Sequence, residues 1–222
     1  MDRLVSAPMK THTSSKTAFT LIEMLTVMAV IAILAGLIVG IQAYAQKKAA
    51  LTRAEGEMRT MGAACESYKA DEGGYPRDLK GKNSDTDVLD PRIDGDPTSL
   101  KYQKATLVLY KALSGDENAD GKGAKGKLYC EYLPSQLQKI ATGQVKFIKD
   151  PFGNSYGYST AGVAMEEDYR QDVLKDPSTQ RPSGTDLKGF NPTFDMWSTG
   201  GVVTRGGASS LNTERKRWVK NW

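Results

Sequence analysis

The chain has 222 residues, with 30 Lys and Arg against 26 Asp and Glu, one His and two Cys. A Ser-His-Asp or Cys-His relay needs a histidine, and the only one, His12, stands in a polar, Ser- and Thr-rich N-terminal stretch; zinc sites built on several His, or on three or four Cys, are equally short of ligands. A net charge of +4 gives no bulk argument for nucleic acid, whereas catalysis by paired carboxylates is not excluded by counting.

Hydropathy is distributed unevenly. No residue from Met24 to Ile41 is charged, and Phe19 to Ile41 holds 23 residues with Glu23 as its one acid. Spanning a bilayer core takes roughly 20 apolar residues in a helix, so this stretch predicts a membrane helix. Arg3, Lys10 and Lys16 precede it against a single acid, Asp2. Positive flanks stay cytoplasmic, which sends the chain beyond about Tyr44 to the other side. A cleaved secretory signal fits poorly, because the run is longer than a typical signal-peptide apolar region. An acid inside such a segment costs about 2–3 kcal/mol unless paired. Glu23 therefore either snorkels to the headgroups or awaits a cationic partner in an assembly.

The run Lys16-Thr17-Ala18-Phe19-Thr20-Leu21-Ile22-Glu23-Met24-Leu25 resembles the processing site of type IV pilin-like proteins. The resemblance implies a short basic leader removed by prepilin peptidase, a membrane aspartic protease. Ala18–Phe19 would be the scissile bond and Phe19 the new, N-methylated terminus. Ala18 stands where the family most often has Gly. Glu23 would become the fifth mature residue, which in the family aligns a subunit with its neighbour's N-terminal amine. An ammonium at Phe19 beside a buried carboxylate is a pair in which each charge needs the other. The implied organisation is a cytoplasmic leader over 1–18, a transmembrane half-helix over 19–45, its amphipathic continuation over 46–72 and an exported head over 73–222. The implied fold is α+β and pilin-like: one long N-terminal helix and a small antiparallel sheet.

Leu51, Ala54, Met58, Met61, Cys65 and Tyr68 recur every three or four residues, one face of an amphipathic helix. Gly73, Gly74 and Pro76 end it. A helix from about Thr20 to Ala70 would be about 75 Å long, more than a small head can cover. The stripe reads as packing, and the resemblance assigns Leu51, Met58 and Met61, with Glu23, to assembly. Residues 71–97, with seven Asp, four Gly and three Pro, read as loop. Thr98 to Leu113 reads as a second helix, capped by Thr98 or Ser99 and ended by Gly115. Asp116, Asn118 and Asp120 followed by Gly121 match the first half of a calcium loop, but its twelfth position is Lys127. Calcium and a plain solvated turn both remain open there. Leu128 to Leu133 reads as a strand, Pro134 to Ala141 as a short helix, Val145 to Ile148 as a strand and Asp150 to Asn154 as a turn.

Three separated segments extend the resemblance to the major pseudopilins of type II secretion systems. They are Tyr68 to Pro76 at the helix exit, DPFGNSYGYST over 150–160, and Phe194 to Gly201. The likeness covers roughly 16–76, 147–160 and 193–201, while 77–127 and 161–190 read as insertions or divergent sequence. Those pseudopilins hold a structural calcium after the S-x-G strand. Here Asp195 is the last Asp and Glu214 the only later acid, so that site does not carry over. The basic tail, with Arg205, Arg215, Lys216, Arg217 and Lys220, reads as a solvated face or as a partner for the Asp-rich loop of another subunit. Cys65 and Cys130 would both be exported, where two cysteines either pair or stay as small buried side chains.

The leading expectation is a structural, non-enzymatic subunit of a type II secretion pseudopilus or related filament. The implied partners are copies of itself, prepilin peptidase, an inner-membrane platform with its ATPase, minor pseudopilins and membrane lipid, without nucleic acid. It would sit in the bacterial inner membrane as a single pass, N-terminus cytoplasmic and head periplasmic. Two alternatives are a membrane-anchored exported enzyme or sugar-binding domain, with Tyr156, Tyr158 and Trp197 stacking on a ligand, and an adhesin-like minor pilin.

Overall fold

A computed structural model describes residues 19–78, 84–123, 125–205 and 208–222. The chain divides into two units, residues 1–46 and 47–222. Helix α1 runs from Leu21 to Glu72. In the first unit it is apolar on every side, long enough to cross a membrane, and no residue of its most apolar 18-residue window is buried. In the second unit Ala54, Met58, Met61, Ala64 and Cys65 are buried, following the helical period. The pair Arg53–Glu57 (2.7 Å) flanks that stripe and Arg59–Glu55 (2.6 Å) lies on the exposed side, each worth a few tenths of a kcal/mol.

The second unit is α+β. A four-residue helix α2 (Asp85–Val88) precedes α3 (Leu100–Ser114). Strands β1 (Leu137–Lys139) and β2 (Val145–Ile148) form an antiparallel pair. A second antiparallel sheet has the order β3-β4-β5, from Gly157–Ser159, Asp195–Ser198 and Val219–Lys220. Helix α4 (Ala161–Lys175) follows β3, and α5 (Ala208–Glu214) precedes β5. Helix α3 presents Tyr102, Ala105, Thr106, Leu109, Tyr110 and Leu113 to the interior, and left-handed Gly115 (φ 68°) ends it by donating its N–H to the Lys111 carbonyl.

Strand β4 divides the interior. Consecutive side chains of a strand point to opposite faces, so Met196 joins the α1 stripe, Leu109, Tyr156 and Tyr158, while Trp197 joins Leu89, Tyr102, Ala105, Leu211 and Trp218. Trp197 stacks on Trp218 (6.0 Å, 6°) and meets Tyr102 edge-on (5.5 Å). Its indole N–H donates to the Tyr102 hydroxyl (3.0 Å), which donates to the Asp94 carbonyl (2.9 Å). Across the ladder stands Gly157. A Cβ there would lie 2.1 Å from Trp197 Cε2, so the indole requires glycine at this position.

Several elements differ from the sequence expectations. Leu128 to Leu133 is no strand: the Tyr129 and Cys130 N–H groups both donate to the Leu113 carbonyl at the end of α3, which removes them from any ladder. Pro134 to Ala141 is a single 3₁₀ turn (Pro134–Gln136) followed by β1, because pairing with β2 takes the backbone after Gln136. The Asp-rich loop contains α2, whose Ser84 and Asp87 side chains reciprocally cap its first turn. Asp87 also pairs with Arg77 (2.7 Å) and accepts from the Thr160 hydroxyl (2.7 Å), and Arg77 reaches Glu167 of α4 (2.8 Å). The basic tail is a solvated face only in part: Arg205, Lys216 and Arg217 are exposed and Arg215 and Lys220 partly buried, whereas Trp218 between them is buried, Trp222 stacks on Phe190 (4.7 Å), and Arg205 pairs with Asp96 (3.0 Å) of its own chain.

Asp195 begins β4, buried, with its carboxylate accepting from the Phe190 (2.7 Å) and Asn191 (3.0 Å) N–H groups. Burial outweighs those bonds and raises its pKa from 3.8 to about 6. A carboxyl whose pKa rises on folding favours the native state when protonated; that contribution is full below about pH 4 and is lost as pH climbs toward 6.

Two outcomes follow from this packing. Gly157→Ala should cost about 2 kcal/mol or more, as overpacking against a fixed ring does, seen as a lower midpoint in chemical unfolding. Between pH 4 and 7 the stability advantage of wild type over Asp195→Asn should shrink by on the order of 3 kcal/mol; a pH-independent difference would contradict the raised pKa.

Candidate functional site

The N-terminal segment that the sequence singles out begins, among the described residues, at Phe19; Ala18 lies outside them. Phe19 is 74 % exposed. Thr20 is the N-cap of α1: its hydroxyl accepts from the Glu23 N–H (3.3 Å), and its carbonyl accepts the helix's first i→i+4 bond, from Met24 (3.2 Å). Glu23 answers by accepting, through Oε2, from both the Thr20 N–H (2.8 Å) and the Thr20 hydroxyl (2.8 Å). This is a capping box. It satisfies donors that a helix start leaves open, and it places the acid at the positive end of the helix dipole.

Glu23 is engaged by its own first turn, though by neutral donors, and no ion pair involves it among the described residues. The signal was present in the sequence: Thr20-Leu21-Ile22-Glu23 is the S/T-x-x-E pattern before an apolar run. The peptide nitrogen of Phe19 is one residue from the cap. A cut before it would turn that nitrogen into an ammonium adjoining the capping box.

Of the three residues assigned to assembly, Met58 and Met61 are buried in the chain's own core, so these two seat the head on α1 and do not face another subunit; Leu51 is partly buried. One tyrosine reinforces that seat: the Tyr156 hydroxyl donates to Glu57 (2.7 Å) of α1. The Tyr158 hydroxyl donates to the Pro76 carbonyl (3.2 Å), four residues beyond the end of α1. Tyr156, Tyr158 and Trp197 are wholly buried, which removes them from any ligand-stacking role.

The Asp116–Gly121 turn is organised by a carboxylate. Asp116, buried, accepts from the Gly121 N–H (2.7 Å), the Asp120 N–H (3.3 Å) and the Tyr110 hydroxyl (3.0 Å). Those bonds, the Gly121 N–H first, outweigh burial and hold its pKa below the usual value. Asn118 is exposed and Asp120 partly so. Among the described residues no group of three or more His, Cys, Asp or Glu side chains is arranged to hold a metal ion. The loop after β4 does not fit calcium either. The Ser198 hydroxyl donates to Asp150 (2.6 Å), whose other oxygen accepts from the Phe152 (3.0 Å) and Asn154 (2.9 Å) N–H groups. Left-handed Gly201 packs on Phe152, and Arg205 binds Asp96. Hydrogen bonds and one ion pair thus take the place of acidic ligands. Cys65 and Cys130 are free, buried thiols.

Comparison with protein families matches residues 13–39 to the prokaryotic N-terminal methylation motif. No curated protein and no solved structure gives a significant match. The motif is the prepilin signal of type IV pilin-like proteins. With the apolar helix behind it, it indicates a membrane-anchored substrate of prepilin peptidase.

Loss of the cap hydroxyl should loosen the first turn without disturbing the head. Thr20→Ala should cost about 1 kcal/mol locally, read as roughly fivefold faster amide exchange at Glu23 and Met24 in the detergent-solubilised protein. Unchanged exchange would contradict the capping box.

Proposed function

We propose that this chain is a structural subunit of a type II secretion pseudopilus or a closely related type IV-like filament, and does its work by assembly and not by catalysis. The observation that carries this reading is the methylation motif over 13–39 leading directly into an unburied apolar helix, with Glu23 held at its first turn. Prepilin peptidase cuts Ala18–Phe19 and Phe19 is N-methylated. Before assembly, α1 holds the subunit in the inner membrane as a single pass, with the head in the periplasm. A platform and its ATPase then draw subunits into the filament, alongside minor pseudopilins.

The local geometry gives Glu23 a definite part. Its Oε2 already accepts two neutral hydrogen bonds, and a carboxylate has lone pairs for more. A neighbour's N-terminal ammonium can therefore dock without the capping box opening. In the low-dielectric interior of a helix bundle, leaving either charge unpaired costs about 3–5 kcal/mol. The pair would thus fix the axial step between subunits. The apolar side chains from Leu21 to Leu37, unburied in the single chain, exchange lipid for the helices of other copies.

The test is the state of the N-terminus. N-terminal sequencing and intact mass of the membrane-associated protein should give a chain that starts at methylated Phe19; an intact Met1, or a start beyond Ala45, overturns the reading. Glu23→Ala should leave membrane insertion unchanged while lowering filament yield at least about tenfold, given the size of the lost pair.

A further inference from the structure

Cys65 lies on the buried stripe of α1, one helical turn beyond Met61. Cys130 belongs to the segment that follows α3, pinned there by the two N–H groups of Tyr129 and Cys130 on the Leu113 carbonyl (2.8 and 2.9 Å). Both are in the same core cluster. The side of α1 that carries Gly56, Glu57, Thr60 and Met61 forms a cleft of about 440 Å³ with Cys130, Glu131 and Tyr132, so the Cys130 segment lies directly against the helix turn before Cys65. The two thiols are within electrostatic reach of each other, and Tyr132 lies within reach of both. No other cysteine exists in the chain, so neither has a competing intramolecular partner.

We propose that Cys65 and Cys130 close into an intramolecular disulfide that staples α1 to the head, the structure showing its dithiol form. The inference rests on the exported head of the proposed function, because disulfides persist in oxidising compartments. One thiolate attacks a disulfide of an exported thiol oxidase and forms a mixed disulfide. The second thiolate then displaces the oxidase sulfur, leaving the Cys65–Cys130 bond and a reduced oxidase dithiol, whose sulfurs take up the two protons that the attacking thiols gave up. In the folded dithiol, burial pushes both thiols above their ordinary range, and Cys65 is wholly covered. Oxidation therefore belongs to the folding of the head after export, and the finished bond is shielded from reductants. The consequence is mechanical. The head is otherwise seated on the stripe by packing and by the Tyr156–Glu57 hydrogen bond. A covalent link across that seat would keep the head on the helix when the helix is pulled.

The experiment traps thiols in intact cells by rapid acid quench and denaturing alkylation with N-ethylmaleimide, followed by the mass of the full-length processed protein. The expected result is no adduct without prior reduction and two after it, with one alkylated thiol in each of Cys65→Ser and Cys130→Ser. A parallel arm takes the detergent-solubilised full-length chain, reduces it, and exposes it to oxidised and reduced glutathione at alkaline pH with enough urea to open the head. There the bridged monomer should form, lighter by two hydrogens. Two adducts in cells with a bridged monomer in glutathione supports the pairing and counts against the exported head. Two adducts in cells with only glutathione adducts or cross-linked dimers in the parallel arm overturns the pairing.

Discussion

The head depends on one seam, the burial of Ala54, Met58, Met61, Ala64 and Cys65 of α1 against the interior of the second unit. The larger core cluster joins that stripe to residues of α3, β2, β3 and β4. Helix α3 brings Leu109, Tyr110 and Leu113, β2 brings Val145 and Ile148, and β4 brings Met196. The short strands here, of two to four residues, supply few ladder bonds and would be marginal alone. A preformed helical wall compensates, because it offers a continuous apolar surface at little further loss of chain entropy. The Tyr156–Glu57 bond adds a polar contact between β3's approach and that wall, and Tyr158 holds the Pro76 carbonyl just beyond the helix end.

A second principle is the use of side-chain carboxylates as local organisers. Asp87 joins α2, Arg77 and the start of α4; Asp116 builds the turn after α3; Asp150 ties the 150–154 turn to Ser198; Asp195 holds the loop at 190–191. Each accepts from backbone N–H groups or hydroxyls that irregular chain would otherwise leave unsatisfied. A head rich in loops can be rigid on this plan without a metal. It also explains why acids that look like ligands in the sequence are committed elsewhere. Asp116 has a calcium-loop position, yet its oxygens are filled by N–H and O–H donors.

Glu23 belongs to the same class and has an additional property. It is a carboxylate held by neutral donors at the start of an apolar helix, so its hydrogen-bonding need is partly met while its charge is not. That unmet charge is what the proposed pairing with another chain's N-terminal cation would use. The capping box also defines where the helix begins, one residue after Phe19, so the position of the first turn and the position of the acid are set by the same four residues.

Much of this was legible in the sequence. Continuous apolarity from Met24 to Ile41 requires a helix there, since a backbone in lipid must satisfy its own hydrogen bonds. The period of Ala54, Met58, Met61 and Cys65 identifies the buried face, and Ser99 with Gly115 brackets α3; these are local rules, set by neighbours three or four residues away. Long-range contacts decided the rest. Tyr129 and Cys130 have strand-forming composition but give their N–H groups to Leu113, fifteen or more residues earlier. Gly157 must be glycine because Trp197, forty residues later, lies over it. Asp87 acquires Arg77 and Thr160 only when the chain folds back. The basic tail, polar in composition, is drawn inward by Trp218 and Trp222. By itself the sequence determined the helix, its two faces and the processing motif at its start, because each depends on local chemistry. The tertiary structure decided which polar groups are organisers, which aromatics are core, and that both cysteines belong to one core cluster, because those depend on partners that only folding brings together.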